Sequence, residues 1–138
     1  MNNKSTYSII VPVFDGLEFY NSFFKSLEKS LDNFEVKRVE VILVSNNNKY
    51  RSKLIKIITD FKYSFLVKEL DNPEKGSYSA RNRGVLESQN EILIFTDIDC
   101  KLNKDYLINL DKYNLSNKII SGKIIMENNN STIKDKNS

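Results

Sequence analysis

Glu91-Ile-Leu-Ile-Phe-Thr-Asp-Ile-Asp99 is the stretch that decides the fold. An almost wholly apolar run with no polar alternation describes a strand buried on both faces, as in parallel sheets. The run then turns abruptly acidic at Asp97-Ile98-Asp99. Ligands of open parallel sheets bind beyond the carboxyl ends of the strands. An acid pair at such an end therefore stands where chemistry is done.

Working outward, the same pattern repeats. Tyr7-Ser-Ile-Ile-Val-Pro-Val13 is a buried strand, broken by Asp15-Gly16. Leu17, Tyr20, Phe23, Phe24, Leu27 and Leu31 then fall on one helical stripe, with Glu18, Lys25, Glu28 and Lys29 elsewhere. Val39 to Val44 is a second strand that ends in the polar run Ser45-Asn-Asn-Asn48. Ser52 to Lys62 reads as a helix with Leu54, Ile55, Ile58 and Phe61 inward, and Ser64 to Leu70 as a third strand. Asp71 to Gly76 is a loop by its turn residues, Ser77 to Gln89 a helix, and Glu91 to Thr96 the fourth strand. Beyond the acid pair, Lys104 to Tyr113 suggests a short helix and Lys118 to Met126 a last strand.

Strand–helix alternation over four units predicts an α/β domain over residues 1–126. Its sheet is expected to be mostly parallel and flanked by helices, with Val11, Leu43, Val67 and Phe95 in central strands. Residues 127–138 carry almost nothing apolar beyond Ile133 and are expected to be a disordered tail. The polar residues just past each strand become candidates for one shared pocket: Pro12 to Asp15, Ser45 to Asn48, Asp71 to Gly76 and Asp97 to Asp99.

Composition removes several chemistries. The 138 residues contain no histidine, so Ser-His-Asp and Cys-His hydrolases and Cys/His zinc sets are excluded. The single Cys100 has no partner for an internal disulfide and reads as a packing residue. A net charge of +3, with lysine spread along the chain, gives no case for nucleic acid. No apolar run approaches the roughly 20 residues of a membrane span, and the first residues lack the apolar core of a signal peptide. A cytoplasmic location, peripheral at most to the inner face of a membrane, is the expectation.

Two clusters could carry chemistry. Asp97-x-Asp99 lets two carboxylates approach one hard cation, Mg²⁺ or Mn²⁺, which can bridge them to phosphates. The same acids also suit the capping of the next helix. In Lys75-Gly-Ser-Tyr-Ser-Ala-Arg-Asn-Arg-Gly84, Gly76 enters a helix whose first N–H groups favour anions. Arg81 and Arg83 are two of only four arginines in a lysine-rich chain. A planar guanidinium suits phosphate oxygens or a strand-end Asp. Asn46 to Asn48 could offer amides to a base edge, or simply form a turn.

Together these pieces resemble family 2 glycosyltransferases. Ser8-Ile-Ile-Val-Pro-Val-Phe-Asp15 is similar to their opening strand, S-I-I-V-P-x-Y-N, and Val39-Glu-Val-Ile-Leu-Val-Ser-Asn-Asn-Asn48 to their second, E-I-I-V-V-D-(D/N)-x-S. Gly76-Ser-Tyr-Ser-Ala-Arg-Asn-Arg-Gly84 followed by Glu91 to Cys100 is similar to G-x-Y-x-A-R-N-x-G…G-E-I-(apolar)₃-x-D-x-D. Ser45, Asn48 and Asn90 depart from the pattern, standing where Asp, Ser and Gly are common. The resemblance runs from about Tyr7 to Met126.

It implies a GT-A, Rossmann-like fold, a nucleotide-sugar donor (a UDP-sugar favoured), a divalent Mn²⁺ or Mg²⁺, and inverting transfer to an unknown sugar, lipid or protein acceptor. Work in cell-surface polysaccharide synthesis would follow. By the resemblance Asp99 and Asp97 bind the metal, Asp97 also near the ribose. Asn46 reads the base, Pro12 and Val13 line the base pocket through backbone groups, and Asp15 lies near the nucleotide, with Gly76 and Arg81 beside it. It also implies a truncated chain stopping about where the acceptor half begins. The catalytic base would then be absent, and the exposed side could self-associate. Two alternatives stand beside this: a non-catalytic nucleotide-binding or assembly remnant, and a haloacid-dehalogenase-type phosphatase, whose aspartyl motif Ile94 to Leu102 resembles.

Overall fold

Alternate residues of the first strand go to different partners, and that division organises the molecule. The computed structural model describes residues 4–46, 48–60 and 62–113. The elements run β1 (Tyr7–Val13), α1 (Tyr20–Ser30), β2 (Val39–Ser45), α2 (Asn48–Asp60), β3 (Leu66–Asp71), α3 (Ser77–Glu87), β4 (Ile92–Phe95) and α4 (Tyr106–Asp111). The four described strands form one sheet in the order β3-β2-β1-β4, and every pairing is parallel.

Ile9, Val11 and Val13 join Val41 and Leu43 in the main core, with Tyr20, Phe23, Phe24 and Leu27 of α1, Leu54 of α2 and Leu107 of α4. On the opposite face Ile42 and Val44 pack with Ala80 of α3. Helices α1, α2 and α4 thus cover one face and α3 the other. Topology explains the division. The chain steps β1→β2→β3 in one direction and then returns past β1 to β4. Since parallel crossovers are right-handed, reversing direction puts α3 on the other face. The reversal opens a crevice between the carboxyl ends of β1 and β4, where such sheets bind ligands.

Of the helical stripe predicted from Leu17 to Leu31, Tyr20, Phe23, Phe24, Leu27 and Leu31 are buried, whereas Leu17 precedes α1 and is half-buried. Phe24 lies against Tyr63 at a ring separation of 4.5 Å, against Tyr20 at 5.1 Å and against Phe23 at 5.2 Å. Removing such a side chain typically costs about 3–5 kcal/mol. On the α3 face, Gly84 approaches β1 so closely that a Cβ would come 2.5 Å from Ile10 Cγ2. Only a residue without a side chain lets that helix settle on the sheet.

Several expectations are corrected. β1 and β2 are the central strands, whereas Val67 and Phe95 lie in the two edge strands of the described sheet. Phe95 is half exposed. Helix α2 begins at Asn48, inside what reads as a polar turn. Ile55 faces solvent, while Ile57 and Ile58 pack against the core. Sequence spacing alone did not choose between those isoleucines because α2 lies over an edge strand and buries only a narrow stripe. Helix α4 is shorter than predicted, and α3 ends at Glu87. Asn47, Phe61, the strand expected at Lys118 to Met126 and the tail at 127–138 lie outside the described residues. No described helix is long and apolar enough to cross a membrane.

At the amino end of the sheet a polar network replaces apolar packing. The buried Glu40 accepts hydrogen bonds from Ser8 Oγ at 2.6 Å and Gln89 N–H at 2.8 Å, and its other oxygen lies 2.8 Å from Lys68 Nζ. Burial pushes the Glu40 carboxyl up, but the Lys68 ammonium, the Ser8 hydroxyl and the Gln89 amide together hold it below the usual range. Asn90 donates through Nδ2 to Tyr7 O at 2.7 Å and through its backbone to Ser8 Oγ at 3.2 Å. The side chain that departs from glycine here therefore pins the entry to β4.

Candidate functional site

The acidic motif forms a turn whose middle residue is its anchor. Cys100 N–H donates to Asp97 O at 3.1 Å, closing the turn Asp97-Ile98-Asp99-Cys100. Ile98 is buried in the main core, while Asp97 and Asp99 on either side are exposed. One buried apolar residue thus turns two carboxylates out together. Leu102 N–H and Leu107 N–H donate to Ser26 Oγ and Ser30 Oγ of α1, at 3.0 and 3.3 Å, tying down the segment that follows.

One carboxylate oxygen from each Asp and the Cys100 sulfur all lie within 4.8 Å of one another. Two hard oxygen donors at this spacing fit a divalent cation such as Mg²⁺ or Mn²⁺. Cys100, expected only to pack, adds a softer donor at the edge, with Sγ 3.9 Å from Asp99 Oδ1.

The other candidates converge on this turn through a chain of contacts. Arg81 Nη2 of α3 donates to Asp97 Oδ1 at 3.2 Å, the Asp-pairing role its sequence position allowed. Arg83 instead pairs with Glu87 along the exposed face of α3, away from the turn. The loop carrying Asp15 packs on the buried anchor of the turn, since a Cβ on Gly16 would lie 3.6 Å from Ile98 Cγ2. Asp15 itself is exposed, Pro12 is half-buried and Val13 is buried.

At the end of β2, Asn46 N–H donates to Val13 O at 3.1 Å, so the ends of β1 and β2 are joined. The Asn46 side chain donates to Gly76 O at 3.1 Å. Gly76 adopts φ 109° at the entrance to α3, a conformation that side chains rarely tolerate. Its carbonyl also accepts the first helical bond from Ala80 N–H at 3.2 Å. Pro12, Val13, Asp15, Asn46, Asp97 and Asp99 therefore stand at or just past the ends of β1, β2 and β4, and Gly76 and Arg81 are brought to them by α3.

Reasoning from sequence had Asn72 only as part of the candidate loop Asp71 to Gly76 and Ser79 only within the Lys75-to-Gly84 cluster, and gave neither a role of its own. Asn72 stands before Pro73 and looks like one more turn residue, yet it is only 6% exposed. Its amide reaches Asn46, the 74–76 loop and α3 at once. The available signal was an Asn at a strand end next to a loop that must close on a helix.

The sequence matches the profile of glycosyl transferase family 2 over residues 8–137. The chain belongs to this family. Glycosyltransferase AglE of Haloferax volcanii is 28% identical to it over 100 residues, which cover 72% of this chain and 32% of AglE. N-acetylgalactosaminyltransferase 7 of Drosophila melanogaster is 36% identical over 72 residues, covering 49% of this chain and 12% of that protein. This family 2 chain thus spans a third or less of the curated relatives it matches.

Among solved structures, TarS 1–349 of S. aureus superposes with a TM-score of 0.66 at 21% identity, over 76% of this chain and 31% of TarS 1–349. The same TarS fragment has been solved with UDP and with UDP-GlcNAc. Mannosyltransferase PcManGT of Pyrobaculum calidifontis, solved with GDP-Man and Mn²⁺, superposes with a TM-score of 0.61 at 15% identity, over 70% of this chain and 28% of PcManGT. At these identities the likeness establishes the GT-A fold.

Proposed function

We propose that this family 2 chain binds a nucleoside-diphosphate sugar, a UDP-sugar first, for transfer of the sugar to an acceptor hydroxyl by a metal-assisted inverting displacement. The observation that carries this reading is the turn at Asp97 to Cys100, which holds ligand atoms within 4.8 Å of each other beside the crevice between β1 and β4. Asp99 and Asp97 would hold the Mn²⁺ or Mg²⁺. A divalent ion bound there supplies neutralisation of the charge that grows on the departing diphosphate.

The chain's own groups supply the rest of the binding. Asn46 and the backbone at Pro12 and Val13 line the side where a base would sit, and Asp15 follows them into the crevice. The first amides of α3 beyond Gly76 favour the diphosphate. Arg81 uses one N–H on Asp97 and keeps further donors of its planar fork for a phosphate oxygen. The ligands of TarS and PcManGT support this donor class. Uridine is preferred because Asn46 matches the position that, by the family resemblance, reads a uracil ring.

Calorimetric titration of the chain with UDP, with and without Mn²⁺, tests the reading. The expected result is an affinity that rises with Mn²⁺, and an Asp99→Asn variant that folds normally and loses that rise. Equal affinity with and without the metal, or an unaltered Asp99→Asn titration, would overturn it.

A further inference from the structure

We infer that Asn72 is a positioning residue: through a ring of hydrogen bonds it sets the side chain of Asn46 and the entrance of α3 for the nucleobase end of the site. The inference rests on the nucleotide-binding reading above and adds the residue that organises the base side of it.

Asn72 continues the β2–β3 ladder one step past the Ser45–Asp71 pair, its N–H donating to Ser45 O at 2.9 Å. That bond places the side chain between three elements. Nδ2 lies 3.0 Å from Asn46 Oδ1, 3.1 Å from Glu74 O and 2.8 Å from Ser79 Oγ. Ser79 Oγ in turn donates to Glu74 Oε2 at 3.1 Å, and Asn46 Nδ2 donates to Gly76 O. The ring therefore runs from the end of β2, through Asn72, across the 74–76 loop and back.

The orientation of the Asn72 amide follows from its surroundings. Asn46 Oδ1 and Glu74 O can only accept, so the group facing them must be the NH₂ and not the carbonyl. Two N–H bonds serve three acceptors, one of them shared. Asn46 is fixed in the same way, because turning its amide over would set its NH₂ against that of Asn72 and its carbonyl against Gly76 O. A side chain that would otherwise rotate freely at an exposed strand end is thereby held in one orientation. Pre-setting it removes an ordering cost that the ligand would otherwise bear.

An isolated packing role would leave base selectivity alone, and this supplies the test. Calorimetry on the wild-type chain, Asn46→Ala, Asn72→Ala and the double variant would use UDP and CDP in the presence of Mn²⁺. Asn72→Ala is expected to weaken UDP about tenfold, the equivalent of one good hydrogen bond, and to shrink the UDP-to-CDP ratio as Asn46→Ala does. The double variant should be no weaker than the weaker single, because both break the same ring. Ser79→Ala, which removes only one partner, should lose about two- to threefold, and it keeps the test open should Asn72→Ala fold poorly. An Asn72→Ala or Ser79→Ala chain with lowered thermal stability but unchanged UDP affinity and base ratio would overturn the inference. A wild-type chain that binds neither nucleotide would overturn the nucleotide reading itself, and this inference with it.

Discussion

The two ends of the same sheet treat their carboxylates in opposite ways. At the amino end Glu40 is 3% exposed and surrounded by Lys68, Ser8 and the Gln89 amide. At the carboxyl end Asp97 and Asp99 are exposed, and Arg81 contacts Asp97 alone. A buried charge must be matched within the protein or it destabilises the fold. An exposed pair keeps its hydration and can exchange it for a cation. The fold uses the first arrangement to lock strand to strand and the second to leave ligand atoms on offer.

Glu40→Gln should break that contrast with the largest effect. It keeps the volume but removes the charge facing Lys68, and should cost about 1.5–3 kcal/mol by denaturant unfolding. UDP affinity per folded molecule should not change, since the residue lies at the far end of the strands. A matching loss of affinity would mean that the two ends are coupled.

Acid titration of stability follows. Asp111 behaves like Glu40: burial pushes its carboxyl up, while the Arg38 guanidinium and the Tyr7 hydroxyl bring it below the usual range. A carboxyl lowered in the folded state stabilises above its ordinary value and loses that contribution as pH falls through the lowered one. Thermal stability should therefore hold near neutrality and fall below about pH 4.5, the ordinary Glu value. In Glu40→Gln the fall should be shallower. An identical acid slope in the two proteins would remove Glu40 from the account.

At the other end Asp97→Asn should change stability by only about 0.5 kcal/mol, because its one ion pair is exposed. It should nevertheless weaken Mn²⁺-dependent UDP binding. The smallest effect belongs to Arg83→Ala, which loses a surface pair within one helix turn and should stay within about 0.5 kcal/mol with binding intact. A clear loss of UDP affinity there would bring Arg83 into the site, against its pairing with Glu87.

Much of this was legible in the residues. Runs such as Val41 to Val44 announce buried strands because a strand covered on both faces shows no polar alternation. The Tyr20-to-Leu31 stripe gives α1 its inner face, and Asp97-x-Asp99 gives the site its acids. The edge positions of Val67 and Phe95 were not legible. A short apolar run reads the same whether it has one neighbouring strand or two, and strand order depends on which way the chain crosses over. Ile55 and Ile57 are alike as letters, and only the narrow contact of α2 separates them.

By itself the sequence determined the α/β alternation, the acids past the fourth strand, the Gly76 entrance to α3 and membership of glycosyl transferase family 2. Local preference and periodicity suffice for each strand and helix, for the acids and for the Gly76 entrance, because each is written within a short stretch, while the family match draws on motifs spread over residues 8–137. Tertiary structure decided the rest. It set Glu40 against Lys68 on the next strand, across the whole of α2 in sequence, and turned Arg81 toward Asp97 while Arg83 stayed on the surface. It made Gly84 a contact surface for Ile10 and Asn72 the centre of a ring rather than a turn residue. Each of these depends on which groups meet across the sheet, and hydrogen bonds and close packing act over a few ångströms of space whatever the separation along the chain.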